Sequence, residues 1–384
     1  MMKDLLEDLG SELKQLRSES LFRSLTDPQG IDFSTNDYLG LSQDPAFRSA
    51  VLEKLREGTE SHCLSSPASR LLRGNTPLHR ELEERLAAFK GTEGALLFPS
   101  GYQANIGLLT ALVSPQDRVL SDAQNHASII DALRLCRCRK IVFPHLDVEA
   151  VQHALRQPHS GGKTFLVTES LFSMDGDVAP LDTYAQLIEE HGAYLIVDDA
   201  HATGVFGETR GSGLTEAFGV EKRAVAIVST FGKALGLFGA FVAGPRVMIE
   251  YLINRSRPFI FTTAVPPLLL HGIEAGLDSL EAEPERRKRV CQLADRLRDH
   301  LSKGNLDTLN SCGPIVPVLL GESDLALKAA AGLQQKGHDV RAIRPPTVAP
   351  GTARLRISVH ANHSEEQIDR LAETLVEVVE GVRS

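Results

Sequence analysis

The sequence predicts an α/β protein built on a mostly parallel, buried sheet and followed by a smaller α+β unit. Three observations carry that expectation. From about residue 78 to 245, short apolar runs alternate with amphipathic helical stretches, the pattern of βαβ crossovers with a sheet covered on both faces. A Pro266-Pro267 break then changes the pattern to longer helices and fewer strands. The chain has 384 residues, enough at roughly 150 per domain for two or three domains around a large core.

The elements follow in chain order. Leu5, Leu9, Leu13 and Leu16 recur at helical spacing until Asp27-Pro-Gln-Gly30 breaks the pattern. Strands are expected at Ala95–Phe98, Arg118–Leu120, Lys140–Phe143, Thr164–Thr168, Ala193–Val197, Ala224–Val228 and Ala240–Ala243. Helices are expected between them at Tyr102–Leu112, Ala127–Leu135, Val148–Leu155 and Pro180–His191. Beyond the proline pair, Leu268 to about Leu301 reads as one long charged helix. Apolar runs at Ile315–Leu320, Val340–Ile343 and Arg354–Val359 alternate with helices near Asp324–Lys336 and Ser364–Val382. The expected division is a helical arm at 1–35, a large α/β domain at 36–265 and a small α+β domain at 266–384.

Composition narrows the function. The net charge is 41 − 50 = −9, without the basic footprint of a nucleic-acid binder. No apolar run reaches the roughly eighteen residues of a membrane span. Asp4, Glu7 and Asp8 interrupt the first leucines, which argues against a secretory signal. Cys63, Cys136, Cys138, Cys291 and Cys312 form neither a disulfide framework nor a zinc pattern. A cytoplasmic protein with reduced thiols is the expectation. His360 and His363 form the closest histidine pair without a third ligand at a recognisable spacing, so no metal site is expected. Gly162-Lys163-Thr164 resembles the end of a P-loop, but the segment after it reads as a strand where a helix is required.

The chemistry concentrates at strand ends. One run, Ala193-Tyr-Leu-Ile-Val-Asp-Asp-Ala-His201, ends in two carboxylates and an imidazole. A second, Val225-Ala-Ile-Val-Ser-Thr-Phe-Gly-Lys233, ends in hydroxyls, a glycine and a lysine, and Phe165-Leu-Val-Thr-Glu169 ends in a carboxylate with Ser173 shortly after. Each residue alone reads equally well as half of a salt bridge. Together they gather at one edge of a parallel sheet, where ligands bind. A lysine in a confined site forms Schiff bases, and a carboxylate opposite it keeps a pyridine nitrogen protonated. Ser100-Gly101-Tyr102 opens a helix directly after a strand, a seat for phosphate. Lys233, Asp198, His201 and Ser100-Gly101 therefore point to pyridoxal phosphate (PLP).

The segments Thr230-Phe-Gly-Lys-Ala-Leu-Gly236, Val197-Asp-Asp-Ala-His-Ala-Thr-Gly204, Phe172-Ser-Met-Asp-Gly-Asp177, Ser34-Thr-Asn-Asp-Tyr-Leu-Gly-Leu41 and Asn125-His-Ala-Ser128 resemble those of the α-oxoamine synthases. The resemblance runs from about residue 31 to the C-terminus. It implies a three-layer, aminotransferase-like sheet of fold type I, and an enzyme that condenses an amino acid with an acyl thioester and releases CO2. Ile343-Arg-Pro-Pro-Thr-Val-Ala-Pro-Gly-Thr-Ala-Arg-Leu-Arg356 resembles the branch of biotin synthesis that joins L-alanine to pimeloyl-CoA or a pimeloyl carrier protein. The alternatives are a synthase of the same family using glycine or serine, and a non-catalytic relative.

The same resemblance implies the site. Lys233 would carry the cofactor covalently, Asp198 would pair with its ring nitrogen, His201 would bond its phenolic oxygen, and His126 would stack on its ring. Gly101, Tyr102 and Thr230 would contact the phosphate, with Ser173 nearby. Thr262 or Thr263 would reach a neighbouring subunit's phosphate, making a homodimer with shared active sites. Asn36 and Arg356 would bind the amino-acid carboxylate and Thr347 the substrate, while Arg17 and Arg23 compete for the acyl donor. For Arg356 a fixed guanidinium fork suits a carboxylate, although Arg354 and Arg356 also read as a surface pair on one strand face. His126 by itself also reads as a capping or core histidine. The family's glycine-rich turn is replaced here by Ser65-Ser66-Pro67-Ala68-Ser69-Arg70, in which proline removes a backbone N–H.

Overall fold

The computed structural model describes residues 2–57, 65–159 and 161–383; Cys63 lies outside them. The chain separates into two units, one of residues 36–173 and 178–289, the other of residues up to Thr35, Met174–Asp177 and the chain from Val290 on.

The larger unit holds seven strands: β1 (Gly94–Phe98), β2 (Arg118–Asp122), β3 (Arg139–Phe143), β4 (Thr164–Glu169), β5 (Tyr194–Asp198), β6 (Ala224–Thr230) and β7 (Ala240–Gly244). Their order is β1-β7-β6-β5-β4-β2-β3. β7 runs antiparallel to β1 and β6, and the remaining pairs are parallel. Every expected strand of this sheet forms. β2, β4 and β7 are buried along their whole length, and their middles, Val119–Leu120, Phe165–Val167 and Phe241–Ala243, are apolar on both faces. The edge strand β3 instead exposes Arg139 and Lys140, charges that discourage pairing with another chain.

Helices Gly101–Leu112, Ala127–Cys136, Val148–Arg156 and Leu181–Glu190 lie between consecutive strands. The first two press Leu108, Leu109, Ile129 and Leu133 into a core with Val119, Phe165, Ile196, Val228 and Val242. Three of the four starts are capped by the side chain of the preceding residue. Ser100 Oγ accepts from Gln103 N, and Asp147 Oδ1 accepts from Ala150 N, so side chains satisfy donors that the helix leaves open.

Two expectations change. The long helix expected at Leu268–Leu301 is two helices, Pro267–Ala282 and Pro284–Lys303. Pro284 has no N–H to continue the first helix and opens the second. The domain boundary also lies later than residue 265. The Pro267–Ala282 helix packs on helices Pro45–Glu57 and Pro77–Lys90 of the larger unit, with Leu270, Ile273, Leu277 and Leu280 buried.

The smaller unit contains β8 (Ile315–Gly321), β9 (Arg341–Ile343) and β10 (Ala353–Ser358), antiparallel in the order β9-β10-β8. Helix Glu365–Arg383 buries Ile368, Leu371, Leu375 and Val378, the face its spacing predicts. The chain before Thr35 is not a separate arm throughout: Ile31–Asp32 pairs in parallel with His338–Asp339. The leucine stripe of helix Met2–Ser18 is exposed at Leu5, Leu9 and Leu13. Among the described residues, no helix is long and apolar enough to cross a membrane.

Candidate active site

The carboxyl ends of β4, β5 and β6 stop at Glu169, Asp198 and Thr230, side by side in the sheet. Asp198 is 8% exposed and both its oxygens accept hydrogen bonds. Ala200 N donates to Oδ1 at 3.1 Å and Asn105 Nδ2 donates to Oδ2 at 2.7 Å. The Asn105 amide also donates to Ser128 Oγ at 2.9 Å, and Ser128 Oγ lies 2.7 Å from His126 Nδ1. With Ser128 donating, Nδ1 is the acceptor and the imidazole carries its proton on Nε2. His126 also caps the Ala127–Cys136 helix, taking Ser128 N on the same nitrogen at 3.2 Å. Burial of the ring nitrogens pulls its pKa down, and Lys233 adds to that effect while Asp198 opposes it. The capping reading of His126 therefore holds, and the same capping fixes the ring next to Asp198 and Lys233.

His201 is 6% exposed, with Nδ1 2.7 Å from the hydroxyl of Tyr38. That hydroxyl donates to Asn36 Oδ1 at 3.2 Å. A fully buried tyrosine thus ties two sequence-predicted residues together. Below this layer, Asp199 points to the other side of the sheet end and meets Lys90. Lys90 Nζ lies 2.8 Å from Asp199 Oδ2 and 3.1 Å from Thr203 Oγ1, and also donates to the Ser212 carbonyl. Ser170 Oγ and Thr215 Oγ1 donate to Asp199 as well. Pairing and hydrogen bonding make this fully buried charge pair tolerable.

Lys233 sits in the turn between β6 and β7. Phe231 N bonds Gly239 O, and Leu237 N bonds Phe231 O. Gly236 N bonds Lys233 O, which closes the loop on itself. Gly236 has φ +64°, and a Cβ there would lie 2.6 Å from Ser42 N, so only glycine fits. Thr230 Oγ1 donates to Gly239 O and accepts from Gly232 N. A Cβ on Gly101 would come 4.0 Å from Thr230 Cβ, which places Thr230 beside the first turn of the Gly101–Leu112 helix. Tyr102 stands edge-on to His126 at 6.5 Å, and its hydroxyl donates to Asp131. Ser173 is buried in the turn after β4. Thr262 lines a groove with Tyr102, Asp131 and Phe261, and Thr263 another with Leu71 and Leu72.

These side chains suit a phosphorylated pyridine aldehyde. A buried carboxylate with fixed orientation answers a ring nitrogen, free N–H groups open the Gly101–Leu112 helix, and a half-buried lysine stands beside an imidazole. Asn105, Ser128 as a relay, Tyr38 and Lys90 were not singled out by sequence reasoning. The available signal for Asn105 was a polar amide on a helix face otherwise made of Ala104, Leu108 and Leu109.

In the smaller unit, Arg356 and Arg354 are both buried on β10, so they are not a surface pair. Arg356 Nη1 donates to Ser358 Oγ at 2.8 Å, and Arg354 pairs with Asp175. Thr347 is exposed. The guanidinium of Arg17 lies 3.5 Å above the ring of Phe22, whereas Arg23 Nη2 is 3.4 Å from the Pro345 carbonyl.

Comparison with known proteins gives the family. Residues 28–375 match the family model of class I and II aminotransferases. The 8-amino-7-oxononanoate synthase of Anaeromyxobacter dehalogenans strain 2CP-1 is 44% identical, covering 99% of this chain and 97% of the relative. That of Geobacter sulfurreducens is 42% identical, covering 96% and 97%. Among solved structures, SPT with PLP is 30% identical with a TM-score of 0.88, covering 99% of this chain and 98% of the other. The 8-amino-7-oxononanoate synthase of Francisella tularensis is 29% identical with a TM-score of 0.79, covering 93% and 100%. The chain is a fold-type I PLP enzyme of the class I and II aminotransferase family. Within it, the chain belongs to the 8-amino-7-oxononanoate synthase family of PLP-dependent acyltransferases.

Proposed function

We propose that this chain condenses L-alanine with a pimeloyl thioester to give 8-amino-7-oxononanoate, CO2 and the free thiol carrier. The observation that carries the reading is the hydrogen-bonded chain Asp198–Asn105–Ser128–His126 beside Lys233, in a protein whose relatives bear that enzyme's name. When bound, PLP supplies an electron sink for the α-carbon of the amino acid. Lys233 holds the cofactor and, once free, its amine takes the α-proton and returns a proton to the product. Asp198 holds the proton on the ring nitrogen, and Asn105 fixes its carboxylate. His201, oriented by Tyr38, bonds the phenolic oxygen, and neutral His126 packs on the ring face. Gly101, Tyr102 and Thr230 hold the phosphate with Ser173 alongside, and Thr262 or Thr263 reaches the site of a second subunit in a homodimer.

Arg356 and Asn36 take the carboxylate of alanine, and Thr347 contacts substrate. Arg23 takes the acyl donor. In the net reaction a bond forms between the alanine α-carbon and the thioester carbonyl carbon. The C–S bond breaks, the thiolate takes a proton, and the alanine carboxylate departs as CO2. The proposal includes a cytoplasmic location, in keeping with the free thiols of Cys136, Cys138, Cys291 and Cys312.

The test is thiol release from pimeloyl-CoA with alanine, glycine and serine in parallel. Alanine should turn over fastest. Faster release with glycine or with a short acyl chain overturns the substrate assignment. A purified protein that stays colourless after addition of PLP overturns the enzyme reading.

A further inference from the structure

Glu169 is the buried carboxyl group of this site that the proposed chemistry leaves unused. It ends β4 in register with Asp198 at the end of the neighbouring parallel strand β5, so the two side chains leave the sheet on the same face. It is 3% exposed. Its backbone N–H donates to Asn125 Oδ1 at 3.1 Å, and its carboxyl group faces the backbone N–H of His126. Its Oε1 is buried with no hydrogen-bond partner among the described residues. An ionised carboxylate with an unsolvated, unpartnered oxygen is costly to bury, and a neutral acid much less so.

We propose that Glu169 is a positioning residue of the cofactor site, a neutral carboxylic acid that fixes the backbone of His126 and leaves the negative charge at the ring nitrogen to Asp198. This rests on the PLP-site reading of Asp198 and His126, but not on the identity of the substrates. The groups facing Glu169 come from every neighbouring element. Asp198 on β5 and Asp122 at the end of β2 favour the neutral form, while Lys233 after β6 and the His126 N–H oppose it. Burial is the largest influence, and the carboxyl pKa is pushed up to about 8. At neutral pH the site then presents one carboxylate and one acid at adjacent strand ends. A second negative charge there would compete with Asp198 for the ring proton.

The consequence is readable without substrate or cofactor. Glu169 has a higher pKa in the folded chain than in the unfolded chain. Between about pH 4.5 and 8 the unfolded state therefore binds fewer protons, and this group makes stability fall as pH rises. Glu169→Gln mimics the neutral acid and has nothing to titrate. In chemical denaturation of the cofactor-free protein, the unfolding constant of wild type relative to E169Q should rise with pH from 5 to 8, by up to about tenfold per unit, and level off above 8. A ratio independent of pH overturns the neutral-acid assignment.

Hydrogen exchange over residues 122–128 reads the anchoring role. E169Q should keep the protection of the His126 amide through its carboxamide oxygen, and Glu169→Ala should lose it. Equal protection in wild type, E169Q and E169A overturns that role, as does loss in E169Q. A protein that binds PLP but releases no thiol would overturn the synthase reading and leave these readouts intact.

Discussion

Asn105 shows how much can depend on one amide. Its Nδ2 donates to Asp198 and to Ser128, so a single side chain sets both the carboxylate at the ring nitrogen and, through Ser128, the tautomer of His126. Hydrogen bonds to charged groups contribute about 1.5–3 kcal/mol. Asn105→Leu should therefore weaken PLP binding by roughly tenfold to a hundredfold, measured by titrating cofactor into the apo-protein, with a lowered melting temperature because buried Asp198 loses a donor. Tyr38→Phe removes one neutral partner of His201, and a loss nearer fivefold is expected, on the order of 1 kcal/mol. Lys233→Ala should lower turnover by at least about 10²–10⁴, the range for a positioned proton-transfer group. An unchanged rate in that variant would remove Lys233 from its assigned role.

At the scale of elements, the strand ends supply the chemistry and the turns after them aim it. The Lys233 turn depends on Gly236, whose φ is +64° and whose missing Cβ leaves room for Ser42 N. Gly236→Ala places a side chain in the left-handed region at a cost of about 1–2 kcal/mol, before any clash with backbone. Reduced cofactor retention together with a lowered melting temperature is expected. The β5 end depends on the buried pair Lys90–Asp199. Lys90→Met strands the Asp199 charge, at about 3–5 kcal/mol, a large share of a typical total stability of about 5–15 kcal/mol. Urea denaturation should show that loss.

The sheet was legible in the sequence because strands buried on both faces are continuous apolar runs. Asp198, His201 and Lys233 were legible because polar groups interrupt those runs at their ends. Asn105, Tyr38 and Lys90 were not, since each acts through a partner 93, 163 and 109 residues away. No local pattern marks such a pairing. The break at Pro284 was legible in principle, but the charged periodicity on both sides of it hid the second start.

At the scale of the whole molecule, two buried histidines make stability depend on pH. His79 in the larger unit bonds Thr76 and the Val265 carbonyl, and its pKa is lowered to about 4 by burial and by Arg70. His363 in the smaller unit accepts His360 N on Nδ1 and reaches the Asp32 carbonyl through Nε2. Burial, then His360, lower its pKa to about 4 as well. Both are neutral in the folded chain, and the unfolded chain takes up their protons first. Their contribution is complete above about pH 6.5 and is lost as pH falls from 6.5 towards 4. Denaturation midpoints should decline over that window, and His363→Gln should shallow the decline.

The pairing of Ile31–Asp32 with His338–Asp339 also sets an order of events during synthesis. Phe33 bonds Asp339, and Ser358 bonds Phe33, so an early stretch of chain finds its neighbours only after more than three hundred further residues have left the ribosome. The larger unit, whose strands all lie between residues 94 and 244, is translated completely in the meantime. A nascent chain arrested near residue 300 would hold a finished sheet and an idle first segment. Maturation of this enzyme is thus timed by the arrival of its last third.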